Sequence, residues 1–211
     1  MGALNELVLA SSNEGKVLEF QSLLAPFGLK LISQASFGIE APPEPHPSFV
    51  ENALIKARSA ARGAGLAALA DDSGICIERL NDKPGVHSAR WSVLHGGLNH
   101  DSDNNQMINQ QLKGGSSKAY FVCVLVLLRW PDDPVPLIAE ARWRGQWLAE
   151  PRGQGGFGYD PHFLPEGQSL TAAEMNLAQK NRLSHRAKAI EQLLAQMLSL
   201  GLLAAPMRSG D

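Results

Sequence analysis

Ser11-Ser12-Asn13-Glu14-Gly15-Lys16 follows a short apolar run, Leu7–Ala10, and precedes a helix-like pattern. Small polar residues, a glycine and a lysine at such a junction suit an anion. Backbone N–H groups and a helix N-terminus face the charge, and the lysine adds a cation. The stretch is not a P-loop of the G-x-x-x-x-G-K-[ST] type, because Ala10 stands at the first glycine and Val17 at the metal-binding hydroxyl. A plain strand–turn–helix with Ser or Asn as the cap would use the same residues without any ligand.

A second group is Leu69-Ala70-Asp71-Asp72-Ser73-Gly74. Adjacent carboxylates at the end of an apolar strand are costly to bury unless a cation or proton compensates them. Alternation along a strand sends neighbours to opposite faces, so one Asp is expected to serve the site and the other to act as a structural acceptor. The simpler alternative is an Asx-turn ending the strand. Glu44, in the Pro-rich Glu40–Pro47, gains meaning only as a second oxygen ligand for a hard cation.

Two further stretches lie toward the C-terminus. Gly155–Phe163 ("GGFGYDPHF") combines glycines that admit close backbone approach with the π faces of Phe157 and Tyr159. Lys180–Arg186 ("KNRLSHR") sets cationic or switchable side chains around a helix N-terminus. Cations oppose the helix dipole there unless an anion or acceptor lies between them, although a solvated basic turn is the usual origin of such a run.

The elements that must position these groups read as β-α-β at the start: a strand over Leu7–Ala10, a helix over Val17–Leu24 and a strand over Leu29–Ile32. Ser48–Glu51 is a capping box opening a helix that Gly63 and Gly65 are expected to close. Strands are expected on either side of "DDSG", at Ala67–Ala70 and Ile75–Leu80. Loop follows over Lys83–His100, then a helix over Asp103–Leu112 and an antiparallel pair, Tyr120–Trp130 and Leu137–Trp147. Thr171–Glu174 reads as a second capping box, and Ser184 as the cap of a last helix with Ala187, Ile190, Leu194 and Met197 inward. The expected class is α/β with a mixed central sheet flanked by helices, in one domain over 1–211.

Composition narrows the function classes. The chain has 211 residues, 44% of them hydrophobic, and a formal net charge of −2, so no bulk basic field recruits nucleic acid or an anionic membrane. The longest apolar run, Phe121–Leu128, is too short to span a bilayer as a helix. Cys76 and Cys123 lie in strand-like stretches at no metal-ligand spacing, which fits buried thiols in a reducing cytoplasm.

Taken in order, "ASSNEGKVLEF", "SFVENALIKA", "LADDSG", "PGVHSARW", "GGFGYDPHFLPEG" and "TAAEM…KN.LSHRAKAI" resemble the inosine triphosphate pyrophosphatase family, the dITP/XTP pyrophosphatases. The resemblance covers about residues 7–194 and leaves 204–211 as a tail. It implies an elongated α/β fold, two lobes around a nucleotide cleft, and a cytoplasmic homodimer. The substrates implied are noncanonical purine nucleoside triphosphates (ITP, dITP, XTP), cleaved to the monophosphate and pyrophosphate with Mg²⁺. Carried over by residue, Ser11, Ser12, Asn13, Glu14, Gly15 and Lys16 would hold the phosphates. Glu44 and Asp72 would hold Mg²⁺, with Asp72 also the general base or the positioner of water. Ser73 would touch the substrate, Phe157, Gly158, Tyr159 and Asp160 would line the base and sugar pocket, and Lys180, His185 and Arg186 would read the purine edge.

The chain departs from that pattern at Ser12, at His87 before "SAR", and in a long polar stretch over Val93–Gln106. Two rival readings are a pyrophosphatase for modified pyrimidine triphosphates and a nucleotide-sensing module without turnover. A nucleotide panel separates the first, and pyrophosphate release from ITP the second.

Overall fold

The computed structural model describes residues 2–203, and the expected tail over 204–211 lies outside the described residues. The elements are β1 (Glu6–Leu9), α1 (Glu14–Leu24), β2 (Lys30–Ser33), α2 (Phe49–Ala64), β3 (Ala68–Ile77), β4 (Lys83–Pro84), α3 (Asp101–Gln111), β5 (Ser117–Leu128), β6 (Leu137–Trp147), β7 (Phe163–Pro165), α4 (Leu177–Leu183) and α5 (His185–Ser199), with short 3₁₀ turns between. The sheet is mixed, as expected. Its order is β2-β1-β3-β5-β6-β7, with β4 on β3. β1 runs parallel to both β2 and β3, while β4 pairs with β3, and β7 with β6, antiparallel.

Contacts divide the chain into two compact units. The first comprises the residues up to Asp72, Val124–Glu140 and the chain from Arg186 onward; the second comprises Ser73–Cys123 and Ala141–His185.

In the first unit α2 begins at Ser48, whose side chain accepts from Glu51 N, and ends at Gly65. Ala53, Ala57, Ala60 and Ala61 form its inner stripe and pack with Val8, Ala10, Ala68, Ala70, Val126 and Leu128. Methyl-sized side chains let a helix lie close on strands, which shortens the reach from its polar residues to the strand ends. Gly63 does not stop this helix but lies inside it, where a Cβ would come within 2.6 Å of the Ile39 side chain.

The core of the second unit is aromatic, with Trp91, Phe121, Trp143, Trp147, Tyr159 and Phe163 around Ile75, Ile77 and Ile108. Two expectations fail here for identifiable reasons. "DDSG" does not interrupt a strand: β3 runs through it. Gly74 is needed for contact rather than for a turn, since a Cβ there would lie 2.4 Å from both Gly85 O and Ser88 Oγ. Thr171–Glu174 does cap itself, through Thr171 N donating to Glu174, but forms only a turn, because the Thr171 hydroxyl donates to Arg152 O instead of serving a helix. The helix starts later, at a reciprocal capping box of Asn176 and Gln179.

Candidate active site

The loop after β1 is held from within and from β2. Asn13 caps α1 by accepting from Lys16 N at 2.9 Å, Ser11 Oγ accepts from Asn13 N, and Ser33 Oγ donates to Ser11 O. The cap takes one of the four amides that a helix start leaves without an intrahelical partner. Ser12 and Asn13 are exposed and Gly15 is half-buried, so the loop offers its backbone to solvent-borne ligands. Glu14 is the first residue of the helix.

The Lys16 side chain turns to β3. Its Nζ lies 2.8 Å from Asp71 Oδ2, and Asp71 is also approached by Arg186 Nε at 3.5 Å. Arg186 Nη1 in turn donates to Glu19 Oε2 at 2.6 Å. Two cations and two carboxylates therefore form one network within the first unit, buried except at the half-buried Lys16, and α1, β3 and α5 each contribute to it. Burying charges of this kind is tolerable only where each meets its opposite.

Asp72, one residue on, belongs to a different group. Lys56 Nζ donates to Asp72 Oδ1 at 2.7 Å and to Glu44 Oε1 at 3.0 Å. Burial pushes the Lys56 ammonium toward the neutral form, but Asp72 and Glu44 outweigh it and its pKa is raised. Glu44 reaches this point because Asn52 latches the Pro-rich loop to α2: Asn52 Oδ1 accepts from His46 N and Asn52 Nδ2 donates to His46 O, both at 3.1 Å. Asn52 is fully buried and stands one helical turn before Lys56. Two polar residues four apart beside an alanine stripe are the sequence signal for this pair; composition alone would set them on a solvated face.

Asp72 Oδ2 is buried and has no hydrogen-bond partner among the described residues. Glu44 and Asp72 are thus two hard oxygen donors aimed at one cationic centre, and Asp72 keeps an oxygen for a further ligand. That donor set fits Mg²⁺, which binds through one or two carboxylates and completes its shell with water and phosphate oxygens. No group of three or more His, Cys, Asp or Glu side chains suited to a metal occurs among the described residues.

In the second unit the Gly-rich loop is pinned to its neighbours. Asp160 Oδ2 accepts from Phe157 N at 3.0 Å and from Lys180 Nζ at 2.7 Å, and Lys180 lies 4.7 Å from the centre of the Phe157 ring. Gly156 makes this possible: its φ is +71°, and a Cβ would fall 2.1 Å from Asp160 Oδ2. Tyr159 is buried against Trp147, and its hydroxyl donates to Ser88 O at 2.6 Å. His185 stacks on Phe121, rings 4.8 Å apart and 8° from parallel. Ser73 is half-buried in β3.

The polar stretch Val93–Gln106, whose last six residues begin α3, gains a role the sequence did not reveal. Asp101 Oδ2 accepts from Gly158 N at 2.7 Å, and Asn105 Nδ2 donates to Gly158 O at 3.0 Å. Both polar groups of the Gly158 backbone are thus held by residues one helical turn apart on α3. Their i, i+4 spacing was the available signal, but nothing local names the partner.

The structure therefore gathers the predicted residues into three sets. Lys16 joins Asp71 and Arg186, Glu44 joins Asp72 through Lys56, and Phe157, Asp160 and Lys180 form the third. Lys56, Asn52, Glu19, Asp101 and Asn105 were missed. A concavity of about 610 Å³ in the second unit is bordered by Ser102, Asn105, Asn109 and Pro161 and by none of the predicted site residues, so its size alone does not mark the site.

The chain is similar to known proteins over most of its length. A model of the Ham1 family matches residues 7–196. A dITP/XTP pyrophosphatase of Ralstonia nicotianae is 52% identical over 195 residues, covering 92% of this chain and 97% of that protein. A dITP/XTP pyrophosphatase of Nitrosomonas europaea is 51% identical, covering 93% and 95%. Among solved structures, a HAM1 protein from Coxiella burnetii superposes with a TM-score of 0.83 at 42% identity, covering 93% of this chain and all of that one.

Proposed function

The chain belongs to the Ham1 family, and we propose that it hydrolyses noncanonical purine nucleoside triphosphates, ITP, dITP and XTP, to the monophosphate and pyrophosphate. The balanced reaction is NTP + H₂O → NMP + PPi, with water attacking the α-phosphorus in line. The observation that carries this reading is the Glu44–Lys56–Asp72 group, two carboxylates converging on one cationic centre, beside a Gly-Lys loop at a helix start.

Ser11, Ser12, Asn13, Glu14, Gly15 and Lys16 are assigned to the phosphates. Lys16 offsets charge on the departing pyrophosphate, and Asp71 holds its ammonium in place. Mg²⁺, held by Glu44 and Asp72, would supply neutralisation of the phosphate oxygens. Asp72 orients the attacking water and accepts its proton or passes it to solvent. Ser73 contacts substrate. Phe157, Gly158, Tyr159 and Asp160 form the wall for base and sugar, and Lys180, His185 and Arg186 supply donors for a 6-keto purine. Adenine presents an amino donor at that position, so a set of donors rejects it.

The reading includes a cytoplasmic homodimer with neither nucleic-acid nor membrane partner. The net charge of −2 and the buried thiols of Cys76 and Cys123 support it, and no helix among the described residues is long and apolar enough to cross a membrane. Incubation with ITP and Mg²⁺ is expected to release pyrophosphate and IMP in equal amounts, with far less product from ATP. Diphosphate and orthophosphate as products would place cleavage at the γ-phosphorus and end this reading.

A further inference from the structure

Lys56 sits between the two carboxylates that would hold a divalent cation. Its ammonium lies 3.0 Å from Glu44 and 2.7 Å from Asp72, its side chain is 9% exposed, and it rises from the interior face of α2 rather than from a mobile loop. The two carboxylates carry a charge of −2 and Lys56 brings the group to −1. A dication added there would leave a group of +1, with ammonium and metal repelling each other at short range in a poorly screened site. Without Lys56 the same dication would leave the group neutral.

A triphosphate changes the sign of the argument. It brings several negative charges and the oxygen ligands that two carboxylates alone cannot provide. Ammonium and metal then share a large excess of anionic charge instead of competing for a small one.

We propose that Lys56 is an internal counter-ion that holds Glu44 and Asp72 against a divalent cation until a nucleotide arrives, so that metal and nucleotide bind cooperatively and neither carboxylate carries a tightly bound ion between turnovers. The inference rests on the proposed function in taking a triphosphate as the ligand, but its first test needs no nucleotide. Coupling between sites is reciprocal, so Lys56 also makes nucleotide affinity depend on the metal.

The test is Mn²⁺ binding to the full-length protein, followed by the electron paramagnetic resonance of the free ion. The wild type, Lys56→Met and the double variant Lys56→Met with Glu44→Gln are compared. Lys56→Met alone is expected to bind Mn²⁺ on the order of tenfold more tightly than the wild type, and the added Glu44→Gln to abolish that gain. With α,β-methylene ITP present, the wild type is expected to tighten more than Lys56→Met, which narrows the difference.

Thermal unfolding gives a second readout should Lys56→Met be unstable. Its melting temperature is expected to drop without metal and to recover with Mn²⁺ by more than the wild type gains, because a ligand that binds only the folded state stabilises it. Lys56→Gln is expected to follow Lys56→Met in both measurements. Equal or weaker Mn²⁺ affinity in both Lys56 variants would overturn the proposal. A wild type that releases no pyrophosphate from ITP would overturn the substrate reading and leave the metal comparison standing.

Discussion

Asp71 and Asp72 are neighbours in β3 and serve different cations: Asp71 meets Lys16 and Arg186, and Asp72 meets Lys56. The pleat of the strand separates them. Asp71 ties a network together, whereas Asp72 retains an oxygen without a hydrogen-bond partner among the described residues. Asp72→Asn is therefore expected to lower kcat on the order of a thousandfold or more, with nucleotide still bound. Asp71→Asn is expected to be the milder change in kcat and the larger in stability, since it leaves two cations short of a carboxylate. Breaking a buried pair costs about 3–5 kcal/mol, reduced here because the Lys16 side chain is 18% exposed. Steady-state rates and thermal melts of both variants decide it; a more damaged kcat in a folded Asp71→Asn protein would reverse the assignment.

Asn52 tests whether Glu44 must be held. Asn52→Ala removes both bonds to the His46 backbone and leaves those groups to find water. The expected loss is about 1–3 kcal/mol of stability, together with a higher Mg²⁺ concentration for half-maximal activity. An unchanged Mg²⁺ requirement, with the expected loss of stability, would show that the loop positions Glu44 without the latch.

Asp101 tests the link between α3 and the Gly-rich loop at Gly158. Asp101→Ala removes the acceptor for Gly158 N and should raise KM for ITP and reduce the preference for ITP over GTP, with a smaller change in kcat. Asp101→Asn, which keeps an acceptor oxygen, should restore most of the preference. A uniform loss for every nucleotide would assign Asp101 to general stability.

His162 should set part of the acid sensitivity. Its ring lies flat on Trp147, centroids 4.5 Å apart, and Nδ1 faces Leu148 O at 2.7 Å, so that nitrogen carries the donor hydrogen. Burial lowers its pKa below the ordinary 6.5, although the Leu148 carbonyl and Glu150 oppose the shift. The unfolded chain therefore takes up the proton first. This contribution to stability is complete above about pH 6.5 and is lost as pH falls below that value toward the folded pKa. His162→Gln is expected to flatten the fall in melting temperature between about pH 7 and pH 5. A slope equal to that of the wild type would place the acid sensitivity in other groups.

The sequence by itself determined the α/β class, the mixed sheet, the family and the candidate loops. Those properties follow from local rules: the apolar run of Leu7–Ala10, the Ser48 cap, and glycines where the chain turns. It also implied that Asp71 and Asp72 must part, because alternation is a property of any strand. It did not determine which cation each would meet. Lys16 and Arg186 stand 55 and 115 positions from Asp71, and Lys56 stands 16 positions from Asp72.

Only the tertiary structure decided those partners, because no local rule couples residues so far apart in the chain. The three cations reach the same strand through the packing of α1, α2 and α5. The same limit explains why Thr171–Glu174 was misread and why Asp101 and Asn105 were missed. A capping box forms a helix only when its hydroxyl is not claimed elsewhere, and here Arg152 O claims it. Asp101 and Asn105 have a legible spacing, but the peptide they hold, at Gly158, lies more than fifty residues along the chain. Local propensity determined the elements; the pairing of buried charges and backbone groups was determined by which elements pack together, since a buried charge or amide must find its partner wherever the fold brings one.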